Sequence, residues 1–77
     1  MEFMTLDALP VGARAIIDKV NASGGMRRRL YDLGFVGGTT VECVGKSPLG
    51  DPSAYMVRGA VIALRAADAA GIVTTRC

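Results

Sequence analysis

The hydrophobic pattern along the chain predicts several short strands and one helix. Apolar and β-branched residues alternate with polar ones, or form short apolar runs, between segments rich in Gly, Pro, Asn and Ser. This pattern is typical of strands separated by turns. It predicts strands over residues 14–20, 39–44, 55–58, 60–64 and 72–75. Single helical turns are predicted over 5–9, with Thr5 as the capping residue, and over 66–70.

Helical periodicity occurs in one segment. Met26, Leu30 and Leu33 recur at i, i+4 and i+7, which predicts an amphipathic helix of two to three turns. Ser23 precedes it as a candidate cap. Gly34 stands where a left-handed residue ends a helix, and Phe35 follows where it can pack against Leu30.

These elements together predict a mainly β fold. Five short strands with one inserted α-helix and short helical turns favour closure into a small barrel, because closure removes exposed strand edges. Apolar residues make up 51% of the 77 residues and aromatic residues only 5%, so the core is expected to be aliphatic, with Cys43 pointing inward. We predict one domain over residues 4–77 and interpret residues 1–3, which precede a second methionine, as a remnant of the expression vector.

Charge and cysteine content favour a soluble protein of a reducing compartment. The net charge is only +2, so no polyanionic partner is demanded. Cys43 and Cys77 lack the spacing of a disulfide framework. The sequence shows neither a signal peptide nor an apolar stretch of bilayer-spanning length. We therefore expect a cytoplasmic protein without direct membrane insertion.

Several chemical functions find little support in the residues. The chain has no histidine and no nucleophile–base motif, so we predict no catalytic residue, no cofactor and no metal site. Gly45-Lys46-Ser47 resembles the end of a phosphate-binding loop, but Pro48 follows where a helix should begin. Nucleic-acid binding by the basic run 27–29 is the alternative, although no aromatic platform is interleaved with it.

Docking onto a protein partner is the function that the sequence favours. One candidate surface is the exposed side of the predicted helix, and the second is the loop between residues 47 and 52, in which Leu49 is the one apolar residue. Leu49 either contacts a partner or folds back onto the barrel. The candidate partner-binding residues are Arg27, Arg28, Arg29, Tyr31, Asp32, Leu49, Gly50 and Asp51.

The order of several motifs resembles the FeoA family. These are Leu9-Pro10-Val11-Gly12, the run from Arg27 to Phe35, Pro48-Leu49-Gly50-Asp51-Pro52, and Ile62-Ala63-Leu64-Arg65. The resemblance implies an SH3-like barrel and a non-enzymatic cytosolic protein that acts beside FeoB, the membrane transporter of ferrous iron. A similar barrel also occurs in iron-dependent repressors, so an alternative is a barrel of a repressor-type system.

Overall fold

Six strands and three helical segments make up the computed structural model, which describes residues 2–77. In chain order they are β1 (Phe3–Thr5), a 3-10 turn (Leu6–Ala8), β2 (Arg14–Val20), α1 (Gly24–Leu33), β3 (Thr40–Lys46), β4 (Ser53–Val57), β5 (Ala60–Leu64), α2 (Ala66–Ala69) and β6 (Ile72–Arg76). Within this range no helix is both long and apolar enough to cross a bilayer.

All strand pairs are antiparallel, and the sheet order is β1-β6-β2-β3-β4-β5. The predicted mainly β fold is confirmed. The predicted number of five strands is wrong, because Phe3–Thr5 pairs with β6 as a sixth strand. That segment has no alternation long enough to signal a strand, and the open side of β6 supplies its hydrogen-bonding partner. Within residues 2–77, β1 and β5 do not pair with each other, so the sheet is open and keeps two edges. The closure that was predicted to remove exposed strand edges is therefore incomplete.

Most core residues are aliphatic, as predicted, but the two largest buried side chains, Tyr55 and Phe35, are aromatic. In β2, Ala15 and Ile17 are buried, and a register shift between Ile17 and Lys19 returns Val20 to the same face. Cys43 is fully buried, which confirms its inward orientation. The remaining buried apolar residues come from most of the other elements: Leu6, Leu9, Leu30, Val41, Val57, Leu64, Ala69 and Ile72.

The C-terminus of α1 has the predicted Schellman geometry. Gly34 adopts a left-handed conformation with φ of 108°. The N–H of Phe35 donates to the Leu30 carbonyl at 2.9 Å, and the N–H of Gly34 donates to the Tyr31 carbonyl at 3.0 Å. This end turns Phe35 into the core beside Leu30.

The two residues predicted to cap helical segments occupy the expected positions but do not cap them. Ser23 and Thr5 occupy the residue before α1 and before the 3-10 turn, but neither side chain makes a capping hydrogen bond. Thr5 instead belongs to β1, whose backbone pairing with β6 fixes its conformation. The strand predicted over 55–58 spans Ser53–Val57 instead. It ends at Val57 because Arg58 and Gly59 take positive φ angles of 51° and 82° in the turn to β5.

Candidate functional site

The exposed face of α1 carries five of the predicted docking residues. Met26, Leu30 and Leu33 contact the core, which leaves the other side of the helix in solvent. An amphipathic helix buries one apolar stripe and exposes its charged positions to solvent. The exposed residues are Arg27, Arg28, Arg29, Tyr31 and Asp32.

Arg27 and Tyr31 form a pair on this face. The Nε of Arg27 donates to the Tyr31 hydroxyl at 3.1 Å, and its guanidinium carbon lies 5.4 Å from the ring centroid. Positions four apart are neighbours on a helix, which places the guanidinium over the aromatic face. In the described part of the chain, the one ion pair joins Arg14 and Glu42 at 3.9 Å. The arginines of α1 therefore have guanidinium N–H groups that can donate hydrogen bonds to carboxylates of a partner.

Leu49 projects from the loop between β3 and β4. Its exposed fraction is 94%, the highest among the exposed large apolar residues. The loop closes on itself, because Ser47 N–H donates to the Pro52 carbonyl at 3.0 Å and Gly50 N–H donates to the Ser47 carbonyl at 2.8 Å. The structure thus shows Leu49 presented to solvent rather than folded back onto the sheet.

Asp51, grouped with Leu49 as a docking candidate, has a contact within the chain. Its Oδ1 accepts a hydrogen bond at 2.9 Å from the N–H of Ala66, the first residue of α2. A carboxylate at a helix N-terminus satisfies a donor that the helix cannot satisfy itself. Asp51 therefore ties the loop to α2, and Gly50 between it and Leu49 makes the turn with φ of 85°.

The structure does not link the two candidate surfaces directly. No hydrogen bond or ion pair among residues 2–77 joins the outer face of α1 to the loop over 47–52. Whether each contacts a partner stays a prediction.

The structure has a groove between α1 and β5 that the sequence did not predict. It encloses about 310 Å³ and is lined by residues that include Met26, Leu33, Ile62, Arg29, Arg65 and Asp68. Its signal in the sequence is weak: residues 60–64 form an uninterrupted apolar run, which is equally typical of a buried strand. Only the sheet order shows that this run forms an edge.

Metal-binding and nucleophilic side chains are dispersed. Among the described residues, no three His, Cys, Asp or Glu side chains lie close enough together to hold a metal ion. Cys43 is buried and Cys77 is exposed, and both are free thiols. A second, polar cavity of about 480 Å³ is lined by Gly12, Ala13, Arg14, Thr40, Arg76 and Cys77.

Comparison with protein families identifies one match over nearly the whole chain. The FeoA domain model matches residues 4–76. A curated protein of Porphyromonas gingivalis, a fusion of Fe(2+) transport protein A with the Fe(2+) transporter FeoB, is 39% identical over 69 residues. That alignment covers 90% of this chain but only 8% of the fusion protein.

Solved structures of FeoA proteins share the fold. The FeoA protein of Chlorobium tepidum is 38% identical, with a TM-score of 0.86 over 94% of this chain and 70% of that one. A zinc complex of Stenotrophomonas maltophilia FeoA, called a prokaryotic SH3 domain protein, is 37% identical with a TM-score of 0.82, covering 92% and 88%. The likeness to the repressor IdeR of T. acidophilum, at 17% identity and a TM-score of 0.85, shows the fold alone.

Proposed function

Because the chain belongs to the FeoA family, whose members take part in ferrous iron transport, we propose that it is a non-enzymatic accessory protein of ferrous iron uptake. In this proposal it works in the cytoplasm and docks onto the cytosolic face of a FeoB-type membrane transporter. It carries no chemistry of its own and acts through surface contacts.

The observation that carries this proposal is the P. gingivalis fusion. In that protein a segment 39% identical to this chain shares one polypeptide with FeoB. A covalent link raises the effective concentration of one module beside the other, often into the millimolar range. Separate chains must obtain the same proximity by binding, which requires a docking surface on the small protein.

Two features of the geometry support docking. An apolar side chain that is 94% exposed on a closed loop leaves its hydrophobic surface in water until a partner covers it. The outer face of α1 adds arginine donors and the Arg27–Tyr31 pair, residue types that are enriched at protein interfaces.

Titration against the full-length transporter in nanodiscs tests the proposal, with binding and ferrous iron flux as readouts. We expect saturable binding, and we expect Leu49→Ala to weaken it by about tenfold, the loss of roughly 1–2 kcal/mol of apolar burial. The melting temperature should not change, because Leu49 has almost no contacts to lose.

Val11→Ala is the matched control. Val11 is an exposed apolar residue, at 55%, outside both candidate surfaces, so its truncation should leave binding unchanged. Absence of binding to the transporter in every nucleotide state would refute the proposal. Equal losses from the two variants would show that Leu49 has no special role in the contact.

A further inference from the structure

The free edge of β5 has the properties of a strand-docking site. We propose that β5 accepts an extended segment of another protein as a seventh antiparallel strand, and that this segment carries apolar residues flanked by acidic ones. The inference concerns a different surface from Leu49 and from the Arg27–Tyr31 side of α1, with Arg29 at the border between the two. It does not depend on the transporter being the partner.

The register of the β4–β5 hairpin fixes which backbone groups are available. Val57 and Ala60 flank the two-residue turn and face each other as a hydrogen-bonded pair, and Tyr55 with Ile62 forms the next such pair. Val61 and Ala63 therefore direct their N–H and C=O groups away from β4. No other backbone group within residues 2–77 bonds to either residue. The edge thus offers two donors and two acceptors.

The edge lacks the features that normally prevent strand addition. Proteins protect edge strands with charges, proline, bulges or very short length. Residues 60–64 contain neither a charge nor a proline, and the pairing of β5 with β4 has no register shift. The opposite edge, β1, is only three residues long. An apolar five-residue edge without protection is expected where a partner strand binds.

Both faces of the sheet beside these backbone groups have room for the side chains of an added strand. The groove of about 310 Å³ between β5 and α1 is lined by Met26, Leu33 and Ile62, which suits one or two aliphatic side chains of an added strand. On the outer face of the sheet, Val61 is 59% exposed and its cross-strand neighbour Met56 is 37% exposed. An added strand with apolar residues covers surface on both faces.

Charge selects an acidic segment over a second copy of this chain. The charged residues that line the groove are two arginines, Arg29 and Arg65, and one carboxylate, Asp68. Arg58 adds a further positive charge in the turn before β5. In a symmetric pairing of two β5 strands centred on Ile62, Val61 of one copy faces Ala63 of the other. That register brings Arg65 of each copy next to Arg58 of the other, and like charges there oppose association.

The test uses a short capped peptide in which a central run of valines is flanked by aspartate at each end, titrated into the isotope-labelled protein. The valines then lie on both faces of the added strand, as the proposal requires. We expect amide shift changes and slowed hydrogen exchange at Val61 and Ala63. A peptide with lysine in place of aspartate should bind at least about tenfold more weakly, as expected for two partly exposed ion pairs. The double variant Arg29→Glu with Arg65→Glu should reverse that preference, whereas Lys19→Glu on β2 should not.

Backbone pairing is tested separately from charge. N-methylation of the valines in the peptide should abolish binding, and so should Val61→Pro, which removes an N–H that has no partner within the sheet. Failure of the acidic peptide to bind, or equal binding of the N-methylated peptide, would overturn the proposal. Protection of Val61 and Ala63 that grows with protein concentration without peptide would assign the edge to a second copy instead.

Discussion

At the scale of single residues, Gly34 combines a left-handed backbone angle with little space for a side chain. Its φ of 108° lies in the region that side chains disfavour, and a Cβ there would lie 3.1 Å from Cδ of Arg58. The Schellman hydrogen bonds require this conformation. Any other residue must either adopt the strained angle or break the helix end.

We predict that Gly34→Ala lowers the free energy of unfolding by about 1–2 kcal/mol. Gly25→Ala in the same helix is the control, because Gly25 has no positive φ and a Cβ there has no atom within 4 Å. That control should be neutral or stabilising, since alanine restricts the unfolded chain. Chemical denaturation of both variants measures the difference, and equal stabilities would contradict the assigned geometry.

Tyr55 is the residue whose ionisation is coupled to folding. It is buried, its hydroxyl donates to the Leu6 carbonyl at 3.3 Å, and burial raises its pKa above the usual 10.0. A raised pKa in the folded state means that the unfolded chain releases the proton first as the pH rises. The stabilisation is therefore complete below pH 10 and is lost as the pH increases from 10 through the pKa of the folded protein.

We predict that Tyr55→Phe lowers stability by about 1 kcal/mol at neutral pH, through the lost hydrogen bond. The difference between the variant and the parent should shrink above pH 10. Denaturation at a series of pH values provides the comparison, with Tyr31→Phe, an exposed tyrosine, as the control. A constant difference across this range would show that Tyr55 titrates normally.

At the scale of elements, α2 depends on a residue distant in sequence. It has only four residues, and its first N–H is satisfied by Asp51 from the loop between β3 and β4. A helix this short has little intrinsic stability, so such contacts hold it in place. The same hydrogen bond anchors the loop that presents Leu49.

We predict that Asp51→Ala destabilises the protein by about 1 kcal/mol, as removal of a helix cap does. Asp51→Asn should retain most of the stability, because the amide oxygen of asparagine can still accept the hydrogen bond from Ala66. Hydrogen exchange at Ala66 should increase in the alanine variant. If Asp51→Ala changes neither the hydrogen exchange of Ala66 nor the melting temperature, the carboxylate has no structural role. Contact with a partner would then be the better explanation for Asp51.

At the scale of the whole molecule, the two thiols report on cooperative unfolding. Cys43 is fully buried between β2 and β4, whereas Cys77 is exposed. Access of a reagent to Cys43 requires opening of the central sheet, while Cys77 reacts in the native state.

We predict that one thiol reacts rapidly with a thiol reagent in the native protein and that the second reacts only under denaturing conditions. Cys77→Ser should leave the native protein almost unreactive, and Cys43→Val should leave the fast reaction intact. Rapid reaction of both thiols at low denaturant would show that the core opens locally.

Much of the fold was predictable because its signals are local. The bounds of β2 and β5 and the C-terminus of α1 follow from alternation, apolar runs and the glycine signal at Gly34. The outer face of α1 follows from helical periodicity. The exposure of Leu49 was left open by the sequence, since an apolar residue in a loop is consistent with contact to the core or with solvent.

By itself the sequence determined the mainly β architecture and the helix with its exposed arginines, since both depend on residue types at short spacing. It also determined the family to which the chain belongs, through the order of motifs along the chain. The tertiary structure decided the sixth strand, the cap that Asp51 gives α2, and the position of β5 at a free edge beside a groove. These depend on contacts between residues far apart in the chain. Such contacts form only when the sheet assembles, and no local pattern of residues records them.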